Sequence, residues 1–190
     1  MTALRNYNGI VLLTSYLQRV YVQENIMMRI GEQVNLVRMQ QAKEFIDDLN
    51  AILPIFEQTK MLTTTQNDRI RTISQQTKLL MEGYFKENPT FYDKLSIVGS
   101  SLYGEKMMND GILRLGTLFQ TDVGQDFEKR VQFYGERTQF IDAFVHTISQ
   151  GEIVDDQVKG IVEKWYVGVK EHQIYVMQDL NQVDELLQML

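Results

Sequence analysis

The sequence predicts an all-α fold: an elongated helical bundle or antiparallel coiled coil of long N- and C-terminal helices with an irregular central insert. Three observations carry this. Residues 156–190 hold Val158, Val162, Trp165, Val169, His172, Val176, Leu180, Val183, Leu187 and Leu190, separated by 4, 3, 4, 3, 4, 4, 3, 4 and 3 residues. That is a heptad seam with one stutter, broken in its apolar character only by His172. Residues 7–60 form a second long stripe. Only two prolines, Pro54 and Pro89, interrupt the helical text.

Residues 1–6 read as a short polar lead. From Tyr7 the apolar positions Leu13, Leu17, Val20, Met27, Ile30, Val34, Val37, Phe45, Leu49, Ile52 and Phe56 fall mainly on one stripe, with Gln, Arg and Glu on the other faces. Gly31 is tolerated inside at about 1 kcal/mol, and Pro54 is expected to kink or end the helix near Ile52 or Leu53. About 46 residues at 1.5 Å each would span roughly 69 Å, against a diameter of roughly 42 Å for a compact chain of this length. The expectation is therefore an elongated molecule or a helix shared with neighbours.

Thr63, Thr64 and Thr65 supply helix caps for a second helix over 66–87, with Ile70, Ile73, Thr77, Leu80 and Tyr84 in its seam. Asn88-Pro89 ends it. Residues 88–124 read as an irregular insert, because seven of the twelve glycines lie between positions 99 and 151 and Asn109-Asp110-Gly111 is a turn signal. Helix resumes over 125–149, where Phe127, Val131, Tyr134, Thr138, Ile141, Val145 and Ile148 repeat at 4 and 3. Gly151 stops it. The acidic run before the last helix suits a first turn.

Apolar residues make up 44 % of the 190, enough for a core. The net charge is −6, and residues 152–190 carry three Lys against eight acidic side chains. Nucleic acid and anionic membrane are disfavoured partners for that reason. With no cysteine, disulfides, thiolate metal sites and Cys nucleophiles are excluded. The apolar run at 10–13 is too short for a signal peptide, and charges interrupt every window long enough to span a membrane, so no stable membrane insertion is expected.

No catalytic residue, cofactor or metal site is expected, and the chain does not read as an enzyme. Carboxylate-bridged metals in helical proteins use Glu-x-x-His, but Ala143 and Val169 stand where the Glu would be. Asp47-Asp48 and Asp155-Asp156 read as solvated or helix-start charges. Gly99-Ser100-Ser101 lacks the Lys of a phosphate loop. His146, on an apolar helix, could ligate haem in a sensor protein, although a histidine at the edge of a packed helix is the simpler reading. His172 occupies the seam itself, where a polar group can fix register. Protonating it is expected to weaken packing, since burial disfavours the charged form. The aromatics read as core and the methionines as gap-fillers.

In its arrangement the chain resembles the EspA/SseB family of type III secretion proteins. The resemblance rests on the N-terminal helix from Leu12-Leu13 through Gln33, Arg38, Gln41, Lys43 and Asp48, on Asn109-Asp110-Gly111-Ile112-Leu113 with Gly116, and on Gly151-Glu152-Ile153, Val158-Lys159 and the stretch 173–181. These cover about half the chain. The resemblance implies terminal helices paired antiparallel, with residues 13–56 on 158–190, and subunits that stack into a tube. It further implies a filament, needle-tip or translocator role, a secreted or cell-surface location without a cleavable signal peptide, and a secretion chaperone as partner. The family's long polar leader is shortened here to about six residues, and the helix at 125–149 is extra material.

The expected function is thus a structural, self-assembling subunit. Its assembly interface would be built from Leu13, Leu17, Val20, Met27, Val34, Val158, Val162, Trp165, Val169, His172, Val176, Leu180, Val183, Leu187 and Leu190. The alternatives are a cytoplasmic helical adaptor or chaperone that binds a partner's amphipathic helix, and a sensor with a ligand or haem at His146.

Overall fold

The structure, a computed structural model, describes residues 2–124 and 126–171. The described chain is all-helical, as its periodicity predicts, with no strand among the described residues. Six helices follow in order: α1 (Thr2–Arg29), α2 (Leu36–Thr59), α3 (Thr64–Glu82), α4 (Phe91–Leu118), α5 (Asp126–Ser149) and α6 (Asp156–Glu171). The central pair is α1 and α4. On the α1 side lie α2 and α3; α5 and α6 pack on α4.

The expected long helix over 7–60 is two helices. Gly31 is not tolerated inside a helix but ends α1. Its φ of +78 is a left-handed value that an L side chain adopts at a cost. The Gly31 N–H donates to the Met28 carbonyl and the Glu32 N–H to the Met27 carbonyl, a paired closure of the helix end. Asn35 then caps α2, its side chain accepting from the Arg38 N–H at 3.1 Å. The chain reverses, so the rod of roughly 69 Å does not form. At the start, α1 takes in most of the expected polar lead, and Asn6 is buried. Pro54 lies inside α2 without ending it. Both Pro54 and Asn50 are exposed, so water can reach the carbonyl that the proline leaves without a donor.

The expected irregular insert at 88–124 is mostly α4, a helix of 28 residues at the centre of the fold. Thr90 starts it with a reciprocal cap: its hydroxyl accepts from the Asp93 N–H at 3.1 Å, and the Asp93 carboxylate accepts from the Thr90 N–H at 2.9 Å. The glycines that suggested breaks are instead places of close approach. A Cβ on Gly99 would lie 2.7 Å from Ile26 Cδ1, one on Gly104 2.2 Å from Arg19 Nε, and one on Gly111 2.5 Å from Val11 Cγ1. All three partners are on α1. Gly and Ser along this face let the α1 and α4 backbones come together, and the packing gained offsets the poor helix propensity of glycine.

The expected pairing of the first helix with the last is not found among the described residues, where α6 packs on α4. Val162 and Tyr166 are its buried positions, and Lys94 of α4 reaches Glu163 at 2.7 Å. In α5 only Ile141 and Val145 are buried. Its other apolar side chains are half-buried or exposed.

Candidate functional site

Leu13, Leu17 and Val20 have no exposed surface and Met27 is 5 % exposed, so these four belong to the chain's own core. They are covered before any second subunit arrives. Val34 is half-buried in the α1–α2 connection. On α6, Val162 is buried, while Val158, Trp165 and Val169 are half-buried. The positions His172, Val176, Leu180, Val183, Leu187 and Leu190 lie outside the described residues. His146 is exposed on α5 and lines neither of the two cavities described below. Asp47 and Asp48 are engaged on the surface by Lys43 and Arg69.

What the fold brings together instead is a cavity of about 450 Å³ between α1, the α3–α4 connection, α4, α5 and α6. Its size suits a small organic ligand. Its floor comes from α1. Helix α1 is buried on two stripes, because it packs against α2 and α3 as well as α4. Tyr16, Arg19, Gln23 and Ile26, spaced 3, 4 and 3, form the second stripe and are all buried. Arg19 is 3 % exposed, donates from Nη2 to Glu105 Oε1 at 2.7 Å, and places its guanidinium 4.6 Å from the Tyr16 ring centroid. Burial opposes the Arg19 charge, but Glu105 and the Tyr16 and Tyr84 phenols outweigh it and hold the pKa above its ordinary value. The Arg19 Nε has no hydrogen-bond partner.

Behind the floor runs a polar network. The Tyr84 hydroxyl lies 2.6 Å from both Ser100 Oγ and Ser101 Oγ and donates to the Ile97 carbonyl at 3.0 Å. Burial pushes its pKa up. The Gln23 amide donates to the Tyr84 carbonyl at 2.7 Å, and the Gln23 carbonyl accepts from Arg38 at 2.8 Å. Arg38 also meets Glu24 at 3.0 Å and donates twice to the Leu80 carbonyl, at 3.2 and 2.9 Å. Each member satisfies a buried neighbour, and such a network fixes helix ends in a single arrangement.

The wall comes from α5 and α6. The Arg137 guanidinium carbon lies 3.4 Å from the Phe133 ring centroid and 5.4 Å from that of Trp165. Phe140 meets Trp165 edge-on at 5.5 Å. Lys164 also lines the cavity. Among the described residues, neither Arg137 nor Lys164 has a carboxylate within ion-pair distance. A second cavity, of about 360 Å³ between α1, α4 and α5, carries no such surplus, since its Arg29 is engaged by Asp142 at 2.6 Å.

No family model, curated protein or solved structure matches this chain. Its function therefore rests on its own geometry. No cluster of three or more acidic or His side chains among the described residues could hold a metal ion. No described helix is long and apolar enough to cross a membrane. The sequence reading missed the cavity because it assigned every Arg and Gln of α1 to a solvated face. The available signal was the 3, 4, 3 spacing of Tyr16, Arg19, Gln23 and Ile26, a second inward stripe beside the first.

Proposed function

We propose that the chain is a structural, self-assembling helical subunit with a non-catalytic role. One observation carries this: large apolar side chains are left in water both at the start of α2 and near the end of α3. Val37 is 75 % exposed, Leu36 56 % and Leu79 57 %. The Arg38 side chain bonds the Leu80 carbonyl, so Val37 and Leu79 each adjoin the same link between helices. Burying such side chains against another chain contributes roughly 1.5–3 kcal/mol apiece. The resemblance to the EspA/SseB family extends the proposal to a secreted filament, needle-tip or translocator component served by a secretion chaperone. In that reading the heptad seam of Val176, Leu180, Val183, Leu187 and Leu190 pairs with a neighbouring subunit.

The break at Gly31 favours a second reading. A chain that folds 7–60 back on itself lacks the long rod that tube-like stacking uses. A cytoplasmic adaptor or chaperone would use the same exposed apolar surface to hold a partner's amphipathic helix.

Sedimentation and negative-stain electron microscopy across a concentration series separate the two. Regular assemblies that dissolve on the double change Leu36→Glu, Val37→Glu, or on removal of residues 184–190, support self-assembly. A monomer or dimer at high concentration overturns it and leaves the adaptor.

A further inference from the structure

We propose that the cavity between α1, α4, α5 and α6 binds a small organic anion, a single carboxylate on an aromatic or aliphatic body. This inference stands independently of the assembly proposal. Its first support is charge. Arg19, Arg137 and Lys164 line the cavity, and Glu105 is the one carboxylate among the described lining residues, so this lining is cationic in a chain of net charge −6. Arg19 is committed to Glu105, whereas Arg137 and Lys164 remain to receive an incoming anion.

The second support is how Arg137 is held. Its guanidinium carbon lies against the Phe133 ring at 3.4 Å and near Trp165 at 5.4 Å. A ring this close limits how far the guanidinium moves, and a guanidinium presents an N–H edge that pairs with a planar two-oxygen acceptor. A carboxylate fits that edge in a way a point contact does not. The third support is the rest of the wall. Phe85, Leu102, Trp165 and Val169 give an apolar surface against which the body of the ligand is shielded from water. A neutral apolar molecule would leave the cations without a counter-charge, and an inorganic anion would leave the apolar wall wet. An amphipathic carboxylate satisfies both. Such a ligand can come from a free metabolite or from a fatty acid released by a membrane.

Trp165 is the only tryptophan in the chain, so its emission reports on this cavity directly. The experiment titrates the full chain with 1-naphthoate and with uncharged 1-naphthylmethanol, read by Trp165 emission and by calorimetry. Decanoate and decanol serve as the aliphatic pair. Naphthoate is expected to bind at least tenfold tighter than the alcohol, and Arg137→Gln to abolish that preference while leaving alcohol binding unchanged. Lys164→Gln, at an exposed position, is expected to reduce it, with helix content unchanged by circular dichroism in both variants. Preference for naphthoate over decanoate would indicate an aromatic metabolite, and the reverse a fatty acid. Equal affinity of acid and alcohol, a preference that survives Arg137→Gln, or no binding at millimolar concentration would overturn the proposal.

Discussion

Arg114 of α4 meets the Glu57 carboxylate of α2 edge-on, Nε to Oε1 and Nη2 to Oε2, both at 2.7 Å. Tyr7 of α1 donates to the same Oε1 at 3.1 Å, so one carboxylate ties three helices. The Arg114 hydrogen bonds hold Glu57 below its ordinary pKa, against burial, which raises it.

A depressed carboxylate pKa contributes stability that is present above its unfolded value of about 4.3 and is lost as pH falls through the folded value. Urea unfolding of the wild type is therefore expected to weaken on acidification in that window, and Glu57→Gln to flatten the slope. Arg114 is 60 % exposed, so Arg114→Gln is expected to cost only about 1 kcal/mol near neutral pH. Identical acid profiles for wild type and Glu57→Gln would refute this.

The Tyr7 phenol carries the opposite signature. Burial, then the Glu57 charge and hydrogen bond, push it from 10.0 up to about 12. A raised value gives stability that is complete below pH 10 and lost as pH rises through about 12. Tyr7→Phe is expected to make alkaline unfolding less steep over that range. A slope equal to the wild type's would mean that another group sets it.

Arg38 is the centre of the network between α1, α2 and α3, and its side chain and that of Glu24 are only 10 % and 9 % exposed. Arg38→Met removes the charge and leaves Glu24 buried without it. The expected loss is about 3 kcal/mol, read from the urea midpoint. The companion change Arg38→Met with Glu24→Gln is expected to recover part of it. If both variants unfold at the wild-type midpoint, the network contributes nothing to stability.

Gly104→Ala tests the close approach of α4 to α1. In an exposed helix this change stabilises, by roughly 1 kcal/mol. Here the new methyl would lie 2.2 Å from Arg19 Nε and 2.4 Å from its Cγ. Destabilisation by about 1–3 kcal/mol is expected, and a rise in thermal midpoint would show that Arg19 moves aside freely.

The helical class was legible because apolar stripes at 3 and 4 residues need no tertiary information. The seam Ile70, Ile73, Thr77 and Leu80 is buried, and the Thr63 side of its threonine run forms a capping box. Three features were not legible. The turn at Gly31 depends on a left-handed backbone that a lone glycine only permits. The glycines of α4 signal a break when read locally and a tight contact once α1 is in place. The buried Arg19 looked solvated because its partner Glu105 is 86 residues away. Both the cavity and the Arg38 network depend on such pairings across the chain.

The α1–α4 contact has a consequence for how this sequence can change over time. Its fit at Gly99, Gly104 and Gly111 depends on atoms that are missing, and every substitution at a glycine adds some. Stability there cannot drift by small steps on one helix alone. A side chain gained at Gly111 requires Val11 to give way, and one gained at Gly99 requires both Ile26 and Ile141 of α5 to give way. In related chains these positions are expected to vary in pairs, whereas the outward face of α5 is free to vary singly.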